Sequence, residues 1–470
     1  MISIVLIAAN IAAVLAFSFI RVRRHRFILL DPAWAFLGGY AINYCVRPVL
    51  YSFDPSVGGI YQDDVYPEAM IRHGVNGALM FAMLGLSGFM LGDFFLERTA
   101  KKISDRLPTM RLREFSERGT YGFFALSFLV VGGLGFYGFV SAAGWAGTLL
   151  ELFSGGQRDA FMQVILGHGY YTFAMQLSLL GWVMICAKWI AFPRSRSGLS
   201  RIGHGLVRYG WFFGTVLIWL GLGERASIVS VLFVPIALYF TISSADSEAS
   251  RKRRRNAIVL TIGAVIVFTG VAGPIGLLMK GKEVSVAGMA AMAISAWDSF
   301  EFTIAAQNYI HPSGLFWGRT YASDLVFTWL PRFMFPWKPE RYGAVLVQDK
   351  LAPDFLDNVG PTFPTGFLFE AYANFWYFGL VLVPMALAVI SKSLYYRLLK
   401  GHDWFWLVQV ALLFPLIASF RSVGWTAAAL LANLAVTAFV ALVCYEMKSL
   451  NVALRSLPMD ASPASRPALS

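Results

Sequence analysis

Basic residues in a segment rich in prolines and aromatics are the first candidates for chemistry in this chain. The segment 280–366 lies between two strongly apolar stretches, and its part LPRFMFPWKPERYG contains three prolines. We predict that four basic residues of the segment face a ligand: Arg319, Arg332, Lys338 and Arg341. Proline fixes the backbone, so these side chains are expected to project from a stiff turn. Guanidinium groups match the geometry of phosphate oxygens, which indicates an anionic ligand.

Three further arginines are predicted on the same side of the membrane as this segment. Arg225 lies in GLGERAS, a very short turn between two apolar stretches. Arg158 lies in an outer loop, and Arg421 lies in the turn FRSVGW. An arginine at an apolar boundary is costly unless it is paired or solvated, so a functional role is expected. The alternative for Arg225 is an anchoring role in which it pairs with the neighbouring Glu224.

A carboxylate and an amide follow the basic segment. Glu370 and Asn374 in PTGFLFEAYANFWYFG are four residues apart, so a helix places them on one face. Glu370 would either act as a general base or hold an arginine in position, and both alternatives are open. Aromatic side chains of the loop would either insert into the membrane interface or stack on sugar rings. They are Trp329, Phe333, Phe335 and Trp337.

No motif indicates a metal or a nucleotide, and no cofactor is expected. Asp63 and Asp64 lack specific metal-ligand spacing, and the three cysteines are far apart in the sequence. The glycine-rich VGGLGFYG at 131–138 lies inside an apolar stretch and follows no strand. It therefore predicts close helix packing rather than a dinucleotide loop.

The elements that must position these residues are membrane helices. The chain of 470 residues is 57% hydrophobic and 14% charged, whereas soluble domains are nearer a quarter charged. Many segments exceed the ~18 apolar residues of a transmembrane helix, and the backbone must satisfy its own hydrogen bonds in lipid. We predict an all-α polytopic membrane protein with about 11 spans. The spans are 2–20, 30–51, 74–96, 119–141, 169–190, 209–223, 226–243, 257–279, 367–391, 404–420 and 424–445.

The charge distribution orients these spans. The net charge is +12, and basic runs such as RVRRHR at 21–26, RKRRR at 251–255 and the run at 392–400 follow or precede spans on one side. The positive-inside rule places these runs in the cytoplasm, the N-terminus outside and the C-terminus inside. It also accounts for the charge without nucleic acid. The chain then divides into eight helices, the long outer loop, three helices and a disordered tail, with the bounds 1–279, 280–366, 367–445 and 446–470.

With these features, the chain resembles the Wzy-type O-antigen polymerases, or oligosaccharide repeat-unit polymerases. The resemblance rests on the many-span layout, on GLGERAS at 221–227, on LPRFMFPWKPERYG at 330–343 and on PTGFLFEAYANFWYFG at 364–379. It implies an architecture similar to the GT-C-like membrane glycosyltransferases, in the bacterial inner membrane, with the long loop in the periplasm. It also implies transfer of a growing glycan from undecaprenyl diphosphate to a new lipid-linked repeat unit, with a chain-length regulator protein as a possible partner.

The resemblance also implies roles for particular residues. The implied catalytic residues are Arg225, Arg332 and Glu370. The implied substrate-binding residues are Arg158, Arg319, Lys338, Arg341, Tyr342, Asn374 and Arg421. An O-antigen ligase is the nearest enzymatic alternative. A flippase for lipid-linked oligosaccharides is the alternative from another class.

Overall fold

The protein is helical throughout nearly all of the part that the computed structural model describes. This part comprises residues 2–24, 31–53, 68–108, 119–142, 169–191, 210–216, 314–328, 334–339, 341–351, 366–401 and 422–456, with isolated positions between them. No strand occurs among these residues, so the predicted all-α class is confirmed for them. The helices are α1 (Ile2–Arg24), α2 (Pro32–Ala41), α3 (Arg47–Phe53), α4 (Glu68–Met90), α5 (Glu97–Arg106), α6 (Gly119–Ala142), α7 (Gly169–Ala191), α8 (Arg319–Phe327), α9 (Val345–Leu351), α10 (Phe367–Gly401) and α11 (Val423–Ser456).

Five of the described helices contain stretches long and apolar enough to cross a membrane. These are Ser3–Arg24, Gly74–Phe95, Gly122–Ala142, Phe367–Lys400 and Thr426–Val443. They coincide with the first, third, fourth, ninth and eleventh predicted spans, so the prediction of a membrane protein is confirmed. Helices also occupy the second and fifth predicted spans. The remaining four predicted spans lie wholly or partly outside the described residues, and the number of 11 stays a prediction.

Helices α1, α2 and α4 run in alternating directions. The Ser3 hydroxyl donates to Asn76 Oδ1 at 2.8 Å, and Arg21 near the other end of α1 pairs with Asp93, so α1 and α4 run the same way. Arg21 also pairs with Asp31, which caps the start of α2, so α2 runs the opposite way. This alternation is what three consecutive crossings of a membrane require.

Glycines allow α6 and α7 to pack at close range. A Cβ atom on Gly132 would lie 2.5 Å from Cβ of Ser178, and one on Gly135 would lie 2.6 Å from Cβ of Ala174. A side chain at either position would displace the neighbouring helix. The predicted packing role of VGGLGFYG is therefore confirmed, as expected where small residues let two membrane helices approach.

The predicted span 367–391 lies within an apolar helix of membrane-crossing length, but α10 is broken near its start. Phe375 and Trp376 have non-helical backbone angles. A Cβ atom on Gly379 would lie only 2.0 Å from the carbonyl oxygen of Ala371, although eight residues of straight helix span about 12 Å. The first arm (367–374) therefore folds back beside the second arm (377–401). The first arm is too short to cross a membrane, whereas the second arm is long enough.

Both arms of α10 pack on α4. Gly85 of α4 faces Leu368 of the first arm, and Gly88 faces Val381 of the second arm, in each case with no room for a Cβ atom. Aromatic packing fixes the fold-back, since the Tyr372 and Trp376 rings stack at 4.8 Å. Apolarity identified this region as a span, but no sequence signal for the reversal stands out, because its residues are aromatic rather than glycine or proline.

Candidate functional site

The candidate site lies where three segments meet at the fold-back of α10. The chain before α8 runs across the end of the first arm, and there the amide of Phe316 donates to the carbonyl of Ala373 at 3.0 Å. The amide of Trp317 donates to the carbonyl of Asn374 at 3.1 Å. These bonds satisfy carbonyl groups that the end of a helix leaves without partners. The start of α11 forms the third side.

Glu370 joins all three segments. Its side chain is fully buried, its Oε1 accepts a hydrogen bond from the Thr320 hydroxyl of α8 at 3.0 Å, and its Oε2 accepts one from the Val423 amide at 2.7 Å. Val423 is the first residue of α11, where amides have no partner inside the helix and the helix dipole favours a negative charge. Both carboxylate oxygens are thus engaged.

Asn374 completes the same network. Its Nδ2 donates to Oγ1 of Thr320 at 2.6 Å and to the carbonyl of Glu370 at 2.9 Å. Its Oδ1 accepts from the amide of Gly318 at 2.9 Å. Glu370 and Asn374 therefore share one helix face, as their spacing predicts. Their roles toward a ligand stay predictions.

Asp324 is a second buried carboxylate of the site, which sequence reasoning missed. It is 5% exposed and lies between two glycines distant in the sequence, Gly343 and Gly424. A Cβ atom would lie 1.7 Å from its Oδ1 at Gly343 and 2.4 Å from its Oδ2 at Gly424. Gly343 also has a φ angle of +62°, which disfavours any other residue. The one sequence signal for burial of Asp324 was an aspartate next to the apolar residues LVF in RTYASDLVF. The sequence around it did not indicate that Gly343 and Gly424 would lie beside it.

Burial, and after it the charge of Glu370, raise the pKa of Asp324 to about 8. Hydrogen bonds from the Ala344 amide and the Ser422 hydroxyl oppose this shift. Two carboxylates thus lie in one buried region, and the carboxyl of Asp324 is held largely protonated at neutral pH.

This protonation makes stability depend on pH. An unfolded Asp ionises near pH 3.8, whereas the folded pKa of Asp324 is about 8, so the folded state binds this proton more tightly. The contribution is fully present below about pH 4 and is lost as pH rises toward 8. We expect the thermal denaturation midpoint of the purified protein to fall over this range, and Asp324→Asn to flatten the fall. Asp105→Asn removes an exposed carboxylate and serves as the control. Equal slopes in wild type and Asp324→Asn would contradict the prediction.

Two other predicted site residues are packed into the loop itself. Lys338 is only 7% exposed; its Nζ donates to the carbonyl of Leu330 at 3.0 Å and lies 4.6 Å from the centre of the Tyr342 ring. The Phe327 and Tyr342 rings pack in a T-shaped arrangement. Lys338 and Tyr342 therefore stiffen the loop around α8, which fits the predicted rigid turn.

The remaining predicted residues fall into two groups. Arg341 pairs with Asp349 of α9, and Arg319 is exposed in the first turn of α8, next to Thr320 in the network. Several predicted residues lie outside the described part of the chain: Asp63, Asp64, Arg158, Arg225, Trp329, Arg332, Phe333 and Arg421.

An apolar cavity of about 370 Å³ adjoins the polar network. The second arm of α10 between Leu382 and Ile390 forms one wall, and the start of α11 between Val423 and Leu430 forms another. Tyr321, which follows Thr320 in α8, closes one side. Val423 belongs to both regions, because its amide binds Glu370 while the residue lines the cavity. A polar cluster and an apolar cavity between membrane helices are thus contiguous.

No protein-family model matches the chain, and neither the curated proteins nor the solved structures contain a match.

Proposed function

We propose that the chain is a membrane glycosyltransferase that polymerises oligosaccharide repeat units linked to undecaprenyl diphosphate, on the periplasmic face of a bacterial inner membrane. The contiguity of the apolar cavity and the polar network, through Tyr321 and Val423, carries the proposal. A lipid-linked oligosaccharide has the same two-part character, with an apolar chain and a polar head. The product would be O-antigen, capsule or exopolysaccharide.

The charge of the loop supports an anionic head group. Arg319 is exposed directly beside the network, and Arg341 is partly exposed on the same loop. Lys338 is buried and supports the loop rather than offering a free ammonium group. We assign ligand contact to the two arginines and loop positioning to Lys338. Arginines suit this role because they contact phosphate oxygens in a bidentate way.

The proposed reaction forms one glycosidic bond and breaks one. The oxygen of an acceptor hydroxyl bonds to the anomeric carbon of the donor glycan, and the bond from that carbon to the diphosphate oxygen breaks. Undecaprenyl diphosphate leaves with the electron pair, and the acceptor proton passes to a base or to water. Arg225 and Arg332 would stabilise the negative charge that develops on the leaving diphosphate. Holding the acceptor in place lowers the barrier further.

Glu370 takes a positioning role in this scheme. Both of its oxygens are engaged and the side chain is fully buried, so it does not reach a substrate hydroxyl in this arrangement. Its described partners are hydroxyl groups and backbone amides rather than an arginine. It orients α8, which carries Arg319, and α11, which begins two residues after Arg421.

Loss of the leaving-group arginines tests the proposal. Arg225→Ala and Arg332→Ala, each expressed in a strain deleted for the native gene, should reach the membrane but abolish long polymer chains. Glycan length on gels measures the effect, and membrane fractions probed by antibody report protein level. Lys102→Ala removes an exposed basic residue of α5 and should leave chain length normal. Normal chain lengths in both arginine variants would contradict the proposal.

The deletion strain separates the alternatives. Loss of a polymerase leaves one repeat unit on the lipid A core, whereas loss of a ligase leaves none. Loss of a flippase leaves unpolymerised repeats on the cytoplasmic side. A chain-length regulator is the proposed protein partner, and its co-purification with the full chain would support the assignment.

A further inference from the structure

Trp317 combines an unfavourable backbone with an exposed side chain. Its φ angle is +50°, and among the described residues only Trp376 shares a positive φ without being glycine. A left-handed conformation costs a residue with a bulky side chain roughly 1–2 kcal/mol. The side chain of Trp317 is nevertheless 75% exposed, so it recovers little packing energy in return. Glycine would adopt this backbone without the cost.

The backbone around Trp317 is held on both sides. Its own amide donates to the carbonyl of Asn374, and the next amide, that of Gly318, donates to the Asn374 side chain. Gly318 itself has a φ of +81° and packs against the ring of Phe375, which is part of the fold-back. The indole is therefore presented from a fixed point directly beside the buried network. Strained residues of this kind concentrate at sites that bind ligands.

We propose that Trp317 is the platform on which a pyranose ring of the oligosaccharide stacks. An indole offers a flat apolar face to the C–H groups of a sugar and an N–H donor at its edge. The exposed Arg319 lies two residues further on and can contact an anionic group of the same ligand. The assignment of the ligand as a lipid-linked oligosaccharide rests on the proposed function, whereas the stacking itself is tested separately below.

Anchoring in the membrane interface is the competing explanation for an exposed tryptophan. The two explanations differ in what may replace the ring. Trp317→Leu keeps an apolar side chain but loses the flat face, whereas Trp317→Phe keeps a flat face. Trp337 is the matched control: it is 65% exposed on the same loop, it packs edgewise on Phe327 and Phe335, and its φ is not positive.

The test measures binding by the full chain in lipid nanodiscs. The probe is the oligosaccharide that mild acid releases from the lipid-linked pool of the native host, and saturation-transfer NMR follows the titration. We expect wild type and Trp317→Phe to bind. Trp317→Leu should weaken binding roughly tenfold, the scale of a central tryptophan contact. Trp337→Leu should bind as wild type does, and thermal denaturation of each variant verifies that it is folded.

Three outcomes would overturn the platform: no binding by wild type, wild-type affinity in Trp317→Leu, or equal losses in Trp317→Leu and Trp337→Leu. Trp317→Gly adds a check, because it relieves the backbone and should keep or raise stability while losing the sugar. Normal polymer length in the deletion strain, together with binding that depends on Trp317, would reject the polymerase function and leave the sugar site intact.

Discussion

Asp93→Asn should destabilise the protein by about 3–5 kcal/mol, the range measured when one partner of a buried ion pair is removed. Asp93 is 2% exposed and pairs with two cations, Arg21 of α1 and Lys392 of the second arm of α10. Asp31 is the second partner of Arg21. The four side chains form a buried group without net charge. Removing one carboxylate leaves two cations with one anion between them.

A compensated variant distinguishes charge balance from simple loss of a contact. Asp93→Asn combined with Lys392→Met removes one charge of each sign and leaves the Arg21–Asp31 pair. We expect this double variant to recover much of the lost stability. Thermal denaturation in detergent and the yield of folded protein measure both effects. The control Asp105→Asn breaks an exposed ion pair, in which the side chains of Asp105 and Lys400 are 59% and 45% exposed. It should change stability by about 1 kcal/mol or less. A double variant no more stable than Asp93→Asn would contradict the charge-balance explanation.

This buried group shows where charge patterning is informative and where it fails. The sequence places Arg21 in the basic run RVRRHR and Lys392 at the start of another, and both runs were assigned to the cytoplasm. The structure places both residues at the same end of the packed helices, which agrees with that grouping. It also buries them around Asp93, which lies on a π-helical turn, Leu91–Phe95, that inserts an extra residue into the helix. Hydropathy does not predict such a turn.

The candidate site divides along similar lines. The shared face of Glu370 and Asn374 followed from their spacing, because helix geometry is local. The hydrogen-bond partners could not be predicted from the sequence, since Thr320 and Val423 are 50 and 53 residues away from Glu370. The burial of Asp324 was not predictable either, because it depends on Gly343 and Gly424, which belong to different segments. A single sequence carries little information about contacts at that separation, whereas composition and apolar length alone identified the membrane helices.

The final expectation concerns Glu370. Glu370→Ala should abolish long polymer and destabilise the protein, because it leaves the Val423 amide and the Thr320 hydroxyl buried without this partner. Each unsatisfied buried group costs about 1–3 kcal/mol, so a total of about 2–6 kcal/mol is expected. The first arm of α10 would then lose its hydrogen bond to α11 and keep only the bond of Asn374 to Thr320 of α8.

Glu370→Gln separates positioning from base catalysis. The amide oxygen of glutamine can accept from the Val423 amide, and its NH₂ group can donate to the second lone pair of Thr320 Oγ1. The contacts thus remain without a basic group, and only the Thr320 hydroxyl proton loses its acceptor. We therefore expect a smaller loss of stability than in Glu370→Ala, and polymer of substantial length. Denaturation midpoints and glycan length are measured on the same preparations. A base loses its function in both variants, so Glu370→Gln that folds normally yet makes no polymer would reject the positioning role. Both carboxylate oxygens already accept hydrogen bonds, one from Thr320 of α8 and one from Val423 of α11. Positioning is therefore the role that accounts for the full burial of this carboxylate.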